Sequence, residues 1–146
     1  MILNNSSKNK LLNFLSKKKI KFEKNFDLKK KSWLKAGGIF EYFIEPSTYE
    51  QIIDLVKFFK EHDLDYYVVG NLSNIIFRDE NIETPIINIK NYNDIIVEDE
   101  PDKFKVTACC GISIFKFVSF ISQKLKISGL EGLVGIPGTL GGGIYM

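Results

Sequence analysis

The sequence predicts an α+β fold with two subdomains, and three features of the chain indicate it. A β-rich run, an amphipathic helix and a second β-rich run follow one another between residues 39 and 69. Further short β-rich runs separated by turn residues come next, as in an antiparallel meander. A second amphipathic helix and a glycine-rich segment follow them. At 146 residues, of which 45% are hydrophobic, the chain can close one buried core.

The N-terminal segment, residues 1–30, is predicted as a helical leader. Apolar residues at helical spacing indicate an amphipathic helix over residues 7–18, with Ser6 and Ser7 as candidate caps. The lysine runs at 17–19 and 29–31 lack the interleaved aromatic and arginine side chains of nucleic-acid readers, so they favour a solvated face. Because nothing in this leader points to chemistry, we place the functional domain at residues 31–146.

A strand, helix and strand unit opens that domain. The β-rich run at 39–45 ends before Pro46, and Ser47 with Glu50 matches a capping box for a helix that reaches about His62. A strand over residues 66–69 follows the helix. Because a unit of this length favours a right-handed crossover, both strands are predicted to lie in one sheet. His62 is predicted to be an exposed cation or a cap rather than a catalytic group.

A second subdomain is predicted to begin with an antiparallel meander. Its strands are the runs 86–89, 95–98 and 104–108, which are separated by turn residues. A helix then starts after Ser113 and is closed by Ser128 and Gly129. The apolar side of this helix is predicted to carry Phe115, Val118, Ile121 and Leu125. Its aromatic pair, Phe117 and Phe120, is predicted to pack in the core.

Charge and cysteine content disfavour several classes of function. The 20 basic and 18 acidic residues nearly cancel, which gives little support to a nucleic-acid or membrane-surface partner. Cys109 and Cys110 are adjacent, so a disulfide between them would be strained, and a single histidine leaves no metal-ligand set. Both thiols are predicted to be reduced and to lie on a buried strand. Because a long apolar run and a signal-peptide pattern are both absent, the sequence predicts a cytoplasmic protein.

Two glycine-rich turns carry the clearest chemical signal. Residues 70–74, Gly-Asn-Leu-Ser-Asn, are predicted as a tight turn between the strand at 66–69 and another at 75–77. Residues 135–143, Gly-Ile-Pro-Gly-Thr-Leu-Gly-Gly-Gly, gather glycines around Pro137. Glycine permits close backbone approach, and free amide N–H groups bind anions such as a diphosphate. Each turn alone also fits a plain hairpin or capping turn, and neither matches a P-loop or a Rossmann fingerprint.

Taken in order, several segments resemble the N-terminal flavin domain of the UDP-N-acetylenolpyruvoylglucosamine reductase (UDP-N-acetylmuramate dehydrogenase) family. They are the residues at 32–38, 41–46 and 129–131 together with the two turns. The resemblance implies a two-subdomain FAD-binding fold of the vanillyl-alcohol-oxidase (PCMH) type, truncated at its C-terminus. It further implies an NADPH-dependent reductase with noncovalent FAD, which converts UDP-N-acetylglucosamine enolpyruvate to UDP-N-acetylmuramate in peptidoglycan precursor synthesis.

The resemblance assigns the FAD diphosphate to the two turns. Ser73 and Thr139 would add hydroxyl donors to the backbone amides. Leu72 departs from the family, which usually places glycine there. If the position needs a left-handed conformation, leucine costs about 1–2 kcal/mol, and crowding of the diphosphate by its side chain would weaken FAD binding. The predicted cofactor-binding residues are Gly70, Asn71, Leu72, Ser73, Asn74, Ile136, Pro137, Gly138, Thr139, Gly141 and Gly142.

No catalytic residue is assigned within the chain. By the resemblance, the family's proton-donating serine and its arginine and glutamate partners fall beyond Met146, so the 146-residue chain alone is expected to be inactive. NADPH and a UDP-sugar are the implied small-molecule partners, and no metal, membrane, nucleic-acid or protein partner is predicted. Two alternatives stay open: a non-catalytic flavin- or nucleotide-binding module that ends naturally at Met146, and another flavin oxidoreductase of the same fold.

Overall fold

The computed structural model describes residues 4–146, so the first three residues of the predicted leader lie outside the described part. Its α-helices are α1 (Asn5–Lys17), α2 (Tyr49–Glu61), α3 (Ile114–Lys124) and α4 (Leu140–Tyr145). Its strands are β1 (Lys21–Asp27), β2 (Ile39–Glu45), β3 (Tyr67–Val69), β4 (Asn81–Ile82), β5 (Ile86–Asn88), β6 (Ile95–Glu100) and β7 (Lys103–Ala108). Short 3-10 helices occupy Leu28–Lys30, Ile89–Asn91 and Glu131–Leu133.

The larger of two sheets has the strand order β1-β2-β5-β3, and β4 pairs with the beginning of β2. β2, β5 and β3 run parallel to one another, whereas β1 is antiparallel to β2. The prediction that the strands on either side of α2 share one sheet is confirmed. β5 lies between them and contacts both.

The predicted meander is wrong in its first strand. β5 is not antiparallel to β6; it pairs in parallel with β2 and β3 in the larger sheet. All three residues of β5 are buried, as is typical of a central parallel strand covered on both sides. The other two predicted meander strands do pair antiparallel, as β6 and β7. They form a separate two-stranded sheet whose pairing runs from Ile95 with Ala108 to Glu100 with Lys103.

The N-terminal segment contains the predicted helix and also a strand that the sequence analysis did not predict. The side chain of Asn4, rather than Ser6 or Ser7, caps α1 by accepting from the Ser7 amide. β1 then pairs with β2 along its length. α1 buries Leu11 and Leu15 against the sheet and α2, so this segment is part of the core.

The ends of the two central helices differ from the predicted caps. Thr48 caps α2 one residue after the predicted Ser47 and accepts from the Gln51 amide. His62 ends α2 as its C-terminal cap, one of the two predicted roles; its Nδ1 atom is 2.9 Å from the Phe58 carbonyl oxygen. α3 begins after Ser113 as predicted, but it ends at Lys124.

The early end of α3 has a clear backbone cause. Lys126 adopts a left-handed conformation with φ of 59°, and the Ile127 amide bonds back to the Ile121 carbonyl. A left-handed residue directly after the last turn is a common way for a helix to end, and here lysine stands where glycine is usual. The predicted stop at Gly129 is therefore wrong. Phe115, predicted on the apolar side, is exposed, while Phe117 and Phe120 are half-buried.

Two apolar clusters form the core of the described residues. The first joins α1 and α2 to the sheet through Leu11, Leu15, Tyr42, Ile44, Leu55 and Phe59, among others. The second contains Phe26, Leu28, Phe40, Phe43, Val69, Leu72 and Ile86. Both clusters draw side chains from β2, which explains why five of its seven residues are hydrophobic. Between residues 4 and 146, no helix has both the length and the apolar character that crossing a bilayer requires.

A buried carboxylate at the end of β2 binds two lysines, one at the start of the edge strand β1 and one shortly after that strand ends. Glu45 is 6% exposed, and its two oxygens lie 2.8 Å from Lys21 Nζ and 2.7 Å from Lys31 Nζ. Burial alone would raise the pKa of Glu45, but the hydrogen bonds from the two lysines outweigh it and hold the pKa below its ordinary value. The ionised form of Glu45 is therefore the one that stabilises the fold.

Glu45→Gln is expected to lower the free energy of unfolding at pH 7 by about 1–3 kcal/mol, because it removes the charge that both lysines bind. Since the folded pKa is depressed, this contribution is fully present above the unfolded value of about 4.3 and is lost as the pH falls through the folded value. Urea unfolding of both proteins at pH 7 and at about pH 3 checks this. An equal difference at the two pH values would contradict it.

Candidate functional site

The first glycine-rich turn, residues 70–74, is called loop A. It follows the end of β3, and the chain then continues without regular secondary structure, so the predicted strand at 75–77 is wrong. No neighbouring strand among residues 4–146 pairs with that coil; Ile75 and Phe77 instead pack on the second apolar cluster. The segment after loop A is therefore held in place by the packing of these two side chains and not by strand pairing.

Residues 136–142, the central part of the second glycine-rich turn, are called loop B. Its centre is hydrogen-bonded to the start of α3 and to the residues just before it. The Ile114 amide donates to the Gly138 carbonyl (3.1 Å), and the Leu140 amide donates to the Ile112 carbonyl (2.7 Å). Thr139 caps α4 and accepts from the Gly142 amide. Loop B is thus fixed against the second subdomain before it reaches loop A.

The two loops touch, as a shared ligand site requires. The Ser73 hydroxyl donates to the Pro137 carbonyl across 2.7 Å. A Cβ atom built on Gly70 would lie 2.2 Å from Thr139 Oγ1, so glycine is needed for the loops to approach this closely. The predicted residues around these contacts vary in exposure: Thr139 is buried, Asn71, Ser73 and Gly138 are half-buried, and Asn74, Ile136 and Pro137 are exposed.

Backbone amides are the main chemical resource of this site. Within residues 4–146, no hydrogen bond uses the amide N–H of any residue from 71 to 74, or of Gly138 or Thr139, as its donor. Buried or half-buried N–H groups normally find an acceptor, so a cluster without one is suited to an anion. These donors come from both loops.

The first amides of α4 are not among these free donors. The Gly141 amide donates to the Cys110 carbonyl, and a Cβ on Gly141 would lie 2.7 Å from Cys110 Cβ. Gly142 donates to Thr139 Oγ1. In this structure both glycines allow close packing of loop B, whereas their predicted contact with a cofactor remains a prediction.

Leu72 has the left-handed conformation that the sequence analysis considered, with φ of 54°. Its side chain, however, is 4% exposed and packs in the second apolar cluster. The expected crowding of a bound diphosphate therefore does not arise from this side chain. The amide of Trp33 donates to the Leu72 carbonyl across 3.3 Å and helps to hold the strained residue.

Leu72→Gly is expected to lower the free energy of unfolding by about 1–3 kcal/mol. Relief of the left-handed conformation returns about 1–2 kcal/mol, but loss of a buried leucine costs about 2–5 kcal/mol. Lys126→Gly is the matched control, because Lys126 is exposed at a similar φ and loses no core packing. Urea unfolding should show that only the control variant is as stable as the wild-type chain or more stable. A Leu72→Gly variant more stable than the wild-type chain would contradict the placement of the Leu72 side chain in the core.

The paired thiols lie directly behind loop B. Cys109 and Cys110 are free and half-buried, but they follow β7 instead of lying on it, because the turn into α3 begins at Cys109. A hydrogen bond with Cys109 and burial raise the pKa of Tyr92 to about 12, and burial raises the pKa of Cys110. The part of the chain that the structure describes contains no group of three His, Cys, Asp or Glu residues able to hold a metal.

Sequence reasoning missed Asn88, the buried side chain next to loop A. Asn88 is 3% exposed; its Nδ2 donates to the Gly70 carbonyl across 2.9 Å, and its Oδ1 accepts from the Lys90 amide. The available signal was a polar residue directly after two isoleucines, at the carboxyl end of a parallel strand, where such sheets bind ligands. The incorrect meander prediction concealed that position.

Comparison with known proteins identifies the fold and its family. The family model for the FAD binding domain matches residues 40–146. Among solved structures, cholesterol oxidase from B. sterolicum superposes with a TM-score of 0.55 at 20% identity, over 73% of this chain and 21% of the other. A solvent-stable cholesterol oxidase gives a TM-score of 0.51 at 12% identity, with the same coverage. The predicted FAD-binding fold is confirmed.

Sequence relatives are more specific. The UDP-N-acetylenolpyruvoylglucosamine reductase of Exiguobacterium sibiricum is 37% identical over 122 residues, which is 84% of this chain and 38% of the relative. That of Clostridioides difficile is 34% identical over 137 residues, 93% of this chain and 43% of the relative. The chain thus spans about two fifths of the length of these curated relatives. It belongs to the FAD binding domain family, and within that family it is similar to the UDP-N-acetylenolpyruvoylglucosamine reductases.

Proposed function

We propose that this chain is the FAD-holding part of a UDP-N-acetylenolpyruvoylglucosamine reductase and that loops A and B bind the diphosphate of FAD. One observation carries the proposal: two glycine-rich loops in contact leave a set of amide N–H groups without an acceptor among residues 4–146. An FAD diphosphate carries two negative charges, and each charge-assisted hydrogen bond from an amide is worth roughly 1.5–3 kcal/mol.

The chemistry of the donors fits this anion. The amides of Asn71, Ser73, Gly138 and Thr139 would hold the phosphate oxygens. Thr139 Oγ1 accepts from Gly142 and keeps its own O–H for a phosphate, whereas the Ser73 hydroxyl already donates to Pro137. Neither loop contains His or Cys, so no side chain there would tether the flavin covalently. When bound, FAD would supply the chemistry of hydride transfer, and the residues of loops A and B would hold its diphosphate without taking part in that transfer.

The reductase activity belongs to the proposal for the longer protein. The curated relatives are named as reductases of a UDP-linked enolpyruvyl sugar, and NADPH would be the hydride donor. We place this reaction in the cytoplasm, as a step of cell-wall precursor synthesis. Its support is the similarity to these reductases, which extends over 84% of this chain in one relative and 93% in the other.

Equilibrium binding tests the cofactor part. Titration of the 146-residue chain with FAD, followed by flavin fluorescence, is expected to show saturable binding that ADP displaces. Riboflavin, which lacks the diphosphate, should bind at least about tenfold more weakly. Equal affinity for FAD and riboflavin would contradict the assignment of the loops.

NADPH oxidation by the natural full-length protein tests the reductase part. Turnover is expected to require the enolpyruvyl UDP-sugar. Oxidation that proceeds equally without this substrate would favour a different flavin oxidoreductase of the same fold. Binding of FAD with no oxidation in either condition would favour a non-catalytic flavin-binding module.

A further inference from the structure

The free amides of the two loops share a property that goes beyond their being unpaired. In a planar trans peptide the C=O and the N–H point in opposite directions, so a group that holds the carbonyl also fixes where the amide points. Every peptide bond in residues 4–146 is trans. The donor that binds each loop carbonyl is therefore a determinant of the anion site, although it never meets the anion.

Loop A has two such donors. Asn88 Nδ2 holds the Gly70 carbonyl at 2.9 Å, which fixes the amide of Asn71. The Trp33 amide holds the Leu72 carbonyl at 3.3 Å, which fixes the amide of Ser73. In both peptides the carbonyl is paired inside the protein and the N–H is left without an acceptor among the described residues.

Loop B repeats the arrangement. The Ser73 hydroxyl holds the Pro137 carbonyl at 2.7 Å, which fixes the amide of Gly138. The Ile114 amide holds the Gly138 carbonyl at 3.1 Å, which fixes the amide of Thr139. The same pairing thus occurs in four peptides from two distant parts of the chain.

Asn88 is the one donor in this set that is a buried side chain. It lies at the end of β5, in register with Val69, the last residue before loop A. Its carboxamide oxygen is held by the Lys90 amide at 3.2 Å, so the orientation of the group, and hence the position of Nδ2, is set. Both ends of the side chain are used, and at 3% exposure it has no competing solvent.

We propose that Asn88 is a positioning residue for diphosphate binding: it holds the Gly70 carbonyl so that the Asn71 amide is oriented toward the anion before the cofactor arrives. This inference rests on the proposed FAD function. It predicts that Asn88 matters for ligands that carry a diphosphate and not for the flavin ring.

Asn88→Leu and Asn88→Asp are the informative variants. Leucine keeps the approximate size and removes both hydrogen bonds. Aspartate keeps the acceptor for Lys90 but removes the donor and places a charge beside the Gly70 carbonyl. Both variants are expected to weaken FAD binding by about tenfold or more, with weak binding of riboflavin unchanged. Asn93→Ala is the control, because the half-buried Asn93 side chain bonds only to the Lys90 carbonyl among residues 4–146 and holds no carbonyl of either loop.

The outcomes separate the two proposals. A wild-type chain without preference for FAD over riboflavin would overturn the proposed function. A wild-type preference that either folded variant retains, or equal losses for FAD and riboflavin, would overturn the role of Asn88 alone. If the variants do not fold, NMR of the wild-type chain decides: the Asn88 side-chain NH₂ signals should stay in place when FAD binds, while the Asn71 amide shifts. A large movement of the NH₂ signals would show that the ligand builds the loop, which contradicts the proposal.

Discussion

Gly70→Ala is expected to weaken FAD binding by about 10- to 100-fold, because the added methyl group cannot share its space with Thr139. The new Cβ would lie 2.2 Å from Thr139 Oγ1 and 2.9 Å from its Cγ2. Thr139 is 2% exposed and caps α4, so it has little freedom to move aside. Overpacking of this kind costs about 1–3 kcal/mol. The clash is relieved when loops A and B move apart, and bringing them back together to bind FAD would then cost a similar free energy. Fluorescence titration with FAD measures the effect.

A double-mutant cycle with Thr139→Ala tests the cause. Removing Oγ1 and Cγ2 leaves only the Thr139 Cβ, at 3.1 Å, so Gly70→Ala should cost much less in the Thr139→Ala background. Additive losses in the two backgrounds would mean that the loops are not in contact in solution. Gly132→Ala serves as the control, since a Cβ there meets nothing within 4 Å.

Gly38→Ala is expected to have the largest effect on stability, about 3 kcal/mol or more. A Cβ on Gly38 would lie 1.8 Å from the Glu80 carbonyl oxygen and 2.8 Å from the Arg78 carbonyl oxygen. Both contacts are with backbone, which cannot rotate away as a side chain can. The Glu80 carbonyl also accepts from the Ile39 amide at the start of β2, so the substitution disturbs the beginning of the central strand.

Urea or thermal unfolding measures this loss, again with Gly132→Ala as the control that should be nearly neutral. The unfolding transition of Gly38→Ala should move even without any cofactor. A stability equal to that of the wild-type chain would show that residues 38 and 80 do not approach as the structure describes.

The strand, helix and strand around α2 could be predicted because local pattern and connection length agree there. Ile39–Glu45 is bounded by Pro46, and the helix that follows has clear apolar spacing. The prediction failed at β5, since a three-residue apolar run does not reveal whether its partners are parallel or antiparallel. Its partners, β2 and β3, are far away in sequence, and burial on both faces decides the pairing.

The positions of the two loops could be predicted from their glycine content. The side chains that shape and orient the loops could not. Leu72 illustrates this: the family usually has glycine at this position, yet the leucine side chain lies in the core as part of the second apolar cluster. Asn88 illustrates the converse, because an asparagine in a short strand carries no sign of the carbonyl that it will hold. Both roles depend on which segments the tertiary fold brings beside loop A.

NMR titration of the ¹⁵N-labelled chain measures most directly whether the loop amides bind a diphosphate. FAD and ADP are both expected to shift the amide signals of Asn71, Ser73, Gly138 and Thr139 the most, and riboflavin is expected to leave these signals in place. Smaller shifts are expected for Leu140 and Gly141, whose amides already bond to the carbonyls of Ile112 and Cys110. Saturable FAD binding that leaves the amide signals of both loops unchanged would contradict the assignment of the diphosphate to these loops.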